Sequence, residues 1–464
     1  MLRTVLVAAA LLAAAPASAQ APAPPPSQAE AALMARVAAD VRPERMRADI
    51  ARLVGFGTRH TLSETRSETR GIGAARRWTE REFRAIGQAC GGCLQIATPS
   101  ATVTAPPRVP TPTEIVDVLA IQRGASDPGR VIIISGHIDS RVTDPLNFTA
   151  DAPGANDDAS GVAAVLESAR VLSKHRFPAT LVYAVLSGEE QGLHGGKILA
   201  DYARAQGWRV EAVLNNDIVG NIEGQSGAVD NTHVRVFSEG TKAVETPEQA
   251  NRRRYNGGEV DSPSRNLARY LDVVADRWLT NFDVLMIYRT DRFGRGGDQV
   301  RMLEAGYPAV RVTEAQENYT RQHQDLRTEG GVRYGDVLEG VNFPYLAQVT
   351  RLNALAMASL ASAPPPPTEV LTEGQVTADT TVKWSAVPGA AEYRVWWRAT
   401  TDPQWRYSRS AGPATSLKLP GVNIDDWFFG VQSVSADGWA SPIVFPGPPG
   451  AFISPPPAPT AAQP

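Results

Sequence analysis

The stretch 131–190 restricts what this chain can fold into more than any other. It opens with an apolar run, VIIIS at 131–135, that leads into Gly136, His137 and Asp139. A second run, TLVYAVL at 180–186, leads into Glu189 and Glu190. Apolar runs of this length without polar alternation mark strands buried in a sheet core. Between them, APGANDDASG at 152–161 places Asp157 and Asp158 among small residues, just before a segment of helical spacing with Val162, Val165, Leu166 and Leu172 on one side. Two buried strands thus end in side chains able to bind metal, with an acidic turn between them. The expectation is a hydrolytic site built on two zinc ions.

Strands and helices alternate along the chain around that stretch. Strands are expected at 94–101, 114–122, 131–135, 180–186, 210–215, 234–237, 284–288 and 309–312. Helices are expected at 71–88, 160–173, 195–206, 264–279 and, as one long element, 334–360. An earlier helical pattern through Met46, Ile50, Leu53 and Val54 stops at Gly55-Phe56-Gly57. Such alternation predicts an α/β fold, a mixed central sheet with helices on both faces. Ligands of such sheets collect beyond the carboxyl ends of strands, where His137, Glu189, Glu190 and Asp217 fall.

The 464 residues allow a large domain and a smaller one. The α/β domain is expected over 29–362, followed by a stiff Pro-rich linker at 363–368. Over 369–453 the pattern changes to short alternating strands between Pro, Gly and Asp turns, which predicts a small all-β sandwich. With Trp384, Tyr393, Val395 and Trp427 at core positions, it resembles a fibronectin type III module. Residues 454–464 form a Pro/Ala tail expected to be disordered.

At the other end, Arg3, the apolar run 5–15 and the small residues PASA at 16–19 have the pattern of a signal peptide cleaved after Ala19, with a Pro/Ala linker at 20–28. The run is shorter than the ~20 apolar residues of a membrane span. A periplasmic or extracellular location is therefore expected, and no later stretch suggests a span. Net charge is −3 with Lys and Arg dispersed, so there is no basic face of the kind nucleic acid requires. The only cysteines, Cys90 and Cys93 in CGGC, are too few for a structural zinc site of four ligands. In an exported protein they predict a local disulfide.

Candidate ligands sit at five loops: His137, Asp157, Glu190, Asp217 and His323. Singly each has an ordinary reading: Asp157 as a helix cap, Glu189-Glu190 as a solvated turn. Together they end neighbouring buried strands, where unpartnered acids are costly. Asp139 follows His137 in an HxD pair and is placed to hold the second imidazole nitrogen. Adjacent Glu189 and Glu190 point apart, so one is free to act as a base while the other binds metal.

The motifs GHIDS, APGANDDASG, SGEEQGLHGG, NNDIVG and RQHQD, in order over 42–360, resemble those of the di-zinc aminopeptidases of the bacterial leucyl aminopeptidase type. By position, the resemblance implies that His137 and Asp217 bind one zinc, Glu190 and His323 the other, and Asp157 bridges them. It implies Glu189 as general acid/base, Asp139 as a partner of His137, and a cis peptide after Asp157. The implied activity is removal of N-terminal residues from peptides or proteins by a zinc-bridging hydroxide, with Tyr319 a candidate oxyanion donor. One departure is visible: relatives carry Asp-His where this chain has Asp298-Gln299. Glutaminyl cyclases and carboxypeptidases of the same fold, and non-catalytic binding proteins, are the alternatives, and the full ligand set disfavours the last.

Overall fold

The structure is a computed structural model that describes residues 25–452. The expected signal peptide, most of the linker after it and the C-terminal tail lie outside the described residues. The first ten strands are β1 (Leu94–Ala97), β2 (Ser100–Ala105), β3 (Val109–Val116), β4 (Val118–Gln122), β5 (Asp127–His137), β6 (Ala179–Leu186), β7 (Arg209–Asn216), β8 (His233–Phe237), β9 (Asp283–Ile287) and β10 (Ala309–Glu314). Interspersed are helices α1 (Gln28–Asp40), α2 (Pro43–Val54), α3 (Gly71–Ala89), α4 (Ala159–Leu172), α5 (His194–Ala205), α6 (Pro247–Asn256), α7 (Pro263–Trp278), α8 (Gln299–Glu304) and α9 (Phe343–Ser362).

Eight strands form one mixed sheet in the order β1-β4-β6-β5-β7-β10-β8-β9. Its centre, β6, β5, β7 and β10, is parallel. The apolar runs of β5 and β6 divide by alternation, since successive side chains of a strand point to opposite faces. Ile132, Ile134, Leu181, Tyr183 and Val185 enter the larger core with α4, α7 and α9. Val131, Ile133, Val182, Ala184 and Leu186 enter a second core with α5 and α8. All eight residues of β6 are buried, which explains its unbroken apolar sequence. This is the expected mixed sheet covered on both faces.

Some expected elements differ. The segments 94–101 and 114–122 are each divided, because β2 and β3 pair as a hairpin separate from the main sheet. Asp117, buried between β3 and β4, accepts from Ser187 N at 3.0 Å. The long helix expected at 334–360 starts only at Phe343. Asn342 caps it, accepting from Tyr345 N, and a proline lies in its first turn. Ahead of it, β11 (Arg327–Glu329) and β12 (Val332–Tyr334) make a small hairpin.

The C-terminal part comprises β13 (Thr368–Glu373), β14 (Thr380–Ser385), β15 (Glu392–Ala399), β16 (Tyr407–Gly412), β17 (Ser416–Leu419) and β18 (Trp427–Val434). They form two three-stranded antiparallel sheets, β13-β14-β17 and β16-β15-β18. Trp384, Tyr393, Val395, Phe429 and Val431 fill the space between. Trp427 lies at the edge of this core and meets Tyr407 edge-on, with ring centroids 5.5 Å apart. The sandwich is docked on α7 and the turn just ahead of it, in part through charge. Arg398 donates to both oxygens of Asp261 at 2.8 and 2.9 Å, and Arg269 donates to the same carboxylate at 2.8 Å. Trp405 Nε1 adds a bond to Asn266 Oδ1 at 3.0 Å. Among the described residues, no helix is long and apolar enough to cross a membrane. Cys90 and Cys93 form a disulfide at the end of α3.

Candidate metal centre

The carboxyl ends of β5, β6, β7 and β10 converge, and the loops that follow bring five of the predicted side chains to one point. Ligand atoms of His137, Asp157 and Asp217 lie within 4.8 Å of one another, and so do those of Asp157, Glu190 and His323. Asp157 belongs to both groups. Its Oδ1 faces His137 Nε2 at 3.2 Å and its Oδ2 faces His323 Nε2 at 2.9 Å. Asp217 Oδ1 lies 3.8 Å from His137 Nε2, and Glu190 Oε1 lies 2.9 Å from His323 Nε2. Glu189 stands beside the pair, its Oε2 4.0 Å from His137 Nε2. Tyr319 is exposed on the loop that carries His323.

Each of these side chains is held from behind. Asp139 takes four bonds: Gly188 N (2.9 Å) and Glu189 N (3.3 Å) donate to Oδ1, and Glu190 N (3.1 Å) and Thr61 Oγ1 (2.9 Å) donate to Oδ2. It thereby fixes the turn that presents both glutamates. The His137 ring meets a different atom from the one its HxD spacing suggests. Nδ1 is 3.1 Å from the backbone carbonyl of Asp139 and 3.7 Å from its carboxylate. The helix cap also moves by one residue, from Asp157 to Asp158. Asp158 accepts from Gly161 N (3.0 Å) at the start of α4, from Ile218 N (3.1 Å) after β7 and from His137 N (2.9 Å) at the end of β5. The Asp157–Asp158 peptide is cis. Asp336 receives Asp157 N at 2.7 Å and Asn156 N at 2.9 Å.

Two arginines that the sequence reading passed over also meet this cluster. Arg311, fully buried on β10, contacts Asp217 Oδ2 at 2.6 Å. Arg141 donates from Nε to Glu190 Oε2 at 2.8 Å and places Nη2 2.6 Å from His323 Nδ1. A signal for the first was present, since an arginine in the apolar run AVRV needs a buried acid as partner. Arg141 lies in the irregular segment between β5 and α4, whose fold the sequence does not encode locally. Gln299, the departure from the family pattern, donates to Asp291 Oδ2 at 2.5 Å, and Asp291 in turn lies 3.5 Å from Arg311. Gln299 thus joins the support of Asp217 through Asp291 and Arg311.

The electrostatics are those of a cation site. Burial alone would raise the Asp157 pKa, but His323 and His137 hold it well below the carboxylate range. For Asp217 burial is likewise outweighed, by Arg311 first, and its pKa is lowered to about 2. Burial works against a charged His323, yet Glu190 and Asp157 raise its pKa to about 9. For Glu189 burial outweighs the pull of His137, and with the nearby Asp217 and Glu190 it raises the pKa well above the usual value. Most telling for a metal are two buried atoms, His137 Nε2 and Glu190 Oε1, that point into the cluster, make no well-aligned hydrogen bond and meet only other ligand candidates, at 3.2 and 2.9 Å. Polar atoms so placed are expensive in a protein interior, and a cation in each of the two groups would satisfy the atom that belongs to it. The donor set of imidazole nitrogens and carboxylate oxygens suits zinc.

Comparison with known proteins identifies the family. The profile of peptidase family M28 matches residues 117–328. A probable zinc metalloprotease of Leptosphaeria maculans is 44% identical over 412 residues, covering 88% of this chain and 95% of its own. Among solved structures, LapB from Legionella pneumophila superposes with a TM-score of 0.53 at 17% identity, covering 74% of this chain and 78% of its own. An aminopeptidase from Aneurinibacillus sp. strain AM-1 does so with a TM-score of 0.50 at 14% identity, covering 71% and 96%. The two solved structures share the fold, while the Leptosphaeria relative is similar along nearly its whole length. The chain belongs to peptidase family M28.

Proposed function

We propose that the protein is an exported di-zinc exopeptidase that removes N-terminal residues from peptides. The observation that carries this reading is the placement of Asp157, whose two oxygens face two separate histidine–carboxylate groups. In this reading His137 and Asp217 hold one zinc, Glu190 and His323 the other, and Asp157 bridges. Bound there, the ions would supply Lewis acidity, bringing the pKa of a water towards ~7 and polarising the scissile carbonyl.

The remaining work falls to the chain. Glu189 is half-buried beside His137 and outside both ligand groups, so it is free to accept the proton of the attacking water and pass it to the leaving amine. Asp139 keeps Glu189 and Glu190 in fixed relative positions through the three N–H groups of their turn. Arg311 occupies one oxygen of Asp217 and leaves the other towards His137. Two complete groups favour a peptidase with two metals over a cyclase with one. The motif resemblance and the aminopeptidase that shares the fold favour action at N-termini. Export is supported by Arg3 and the apolar run 5–15, and the Cys90–Cys93 disulfide fits an oxidising compartment.

The test is Glu189→Ala. The variant should keep two zinc ions per chain by elemental analysis while hydrolysis of leucyl-p-nitroanilide falls by roughly 10²–10⁴-fold, the usual share of a general base. Unchanged turnover would reject the assignment.

A further inference from the structure

Arg141 reaches the metal centre from its rim. Its side chain is 13% exposed, and that of His323 beside it 22%. Nη1 is spent on the carbonyls of Val142 (3.1 Å) and Thr143 (3.4 Å), and Nε on Glu190 Oε2 (2.8 Å). Nη2 faces His323 Nδ1 at 2.6 Å, where only an unprotonated ring nitrogen can accept from it. Under the function proposed above, His323 gives Nε2 to a metal, and a neutral imidazole so bound carries its proton on Nδ1. A guanidinium has donors only, so Nη2 then needs another acceptor. Charge points the same way. Arg108 also reaches this rim, donating from Nη1 to the carbonyl of Glu190 at 2.5 Å. Once a dication shares Glu190, the Arg141 guanidinium faces a carboxylate that is already neutralised, with the second cation of Arg108 at the backbone of the same residue.

We propose that Arg141 binds a carboxylate of the substrate on the leaving-group side of the scissile bond. This rests on the exopeptidase reading. A substrate's terminal ammonium is repelled by a guanidinium, so the Arg141 edge faces the chain beyond the bond that is cut. The acceptor that suits Arg best there is a carboxylate, through a charge-assisted bond. Two sources share this chemistry: the α-carboxylate of a dipeptide, and the side chain of Asp or Glu in the first residue of the leaving peptide. The protein would then favour dipeptides or peptides acidic at that position over neutral ones.

The experiment compares Leu-Gly, Leu-Gly-amide and Leu-Glu-amide on the zinc-loaded protein and on Arg141→Met and Arg141→Lys. The expected wild-type result is a kcat/KM about tenfold or more higher for a carboxylate-bearing substrate than for Leu-Gly-amide, the size of one charge-assisted bond. Preference for Leu-Gly identifies the α-carboxylate, and preference for Leu-Glu-amide the side chain. Arg141→Met should bring that ratio to about one and Arg141→Lys should restore part of it. The ratio cancels any loss common to all substrates, such as disturbance of Glu190. Calorimetry with the reduced-bond analogue of Leu-Gly and its amide reads the same discrimination without turnover. A wild-type ratio near one, or a ratio that survives Arg141→Met, would overturn the proposal. Absence of all hydrolysis by the wild type, with the analogue ratio intact and sensitive to Arg141, would instead sink the peptidase reading.

Discussion

Asp139 lies two residues beyond His137, yet its carboxylate serves the neighbouring loop. Its two oxygens receive Gly188 N, Glu189 N, Glu190 N and the Thr61 hydroxyl, and burial is outweighed by His137 and these donors in keeping it ionised. An asparagine offers one acceptor oxygen where the carboxylate offers two, and turns an NH₂ towards N–H donors. Asp139→Asn should therefore destabilise the fold by roughly 1–3 kcal/mol in urea unfolding. It should also lower kcat about 10–100-fold as the glutamate turn loosens, by analogy with lost supports around metal ligands. Wild-type kcat in that variant would show that the turn is held by other means. The side chains that the structure gathers were legible one at a time because each ends an apolar run or sits in a small-residue turn. Their supports were not. Arg141 and Glu190 are 49 residues apart, and Asp336 and Asn156 are 180 apart. No local pattern announces a partner at that distance.

At the scale of elements, burial decided what the sequence made visible. Strands β5 and β6 are legible because both faces are packed. Helix α6 escaped notice because none of its residues is buried, so it carries no periodic apolar stripe. Helix α8, at six residues, is too short for a period to emerge. The start of α9 was misplaced because apolar residues continue through 332–341, a hairpin and a 3₁₀ turn ahead of the Asn342 cap. The contact between α7 and the sandwich is likewise invisible locally. It joins Asp261, which also holds Arg269, to Arg398, a residue that sits among the aromatic rings of Trp405 and Phe428. Removing one member of a buried ion cluster leaves charge uncompensated, so Arg398→Met should cost roughly 3 kcal/mol. Denaturant unfolding should be a single transition in the wild type and should divide into two in the variant as the sandwich uncouples from the α/β body. A single unshifted transition would mean that other contacts at the seam hold the two parts together.

Across the whole molecule, one mixed sheet brings chain positions from 137 to 323 to its carboxyl edge, and the two candidate metal groups share a single carboxylate there. The mixed sheet, its two helical layers and the small β-sandwich follow the pattern of apolar residues, whereas the seam between sandwich and α/β body depends on side-chain pairing. The same architecture makes the proposed function quantitative, because four candidate ligands around one candidate bridge would define a site for two ions and not one. The most direct test is to strip the protein with a chelator and titrate zinc back. Bound metal would be counted by elemental analysis and hydrolysis of leucyl-p-nitroanilide followed at each step. Activity should vanish with the metal and return in full as occupancy reaches two ions per chain. Saturation at one ion per chain, or hydrolysis that survives complete removal of metal, would contradict the account.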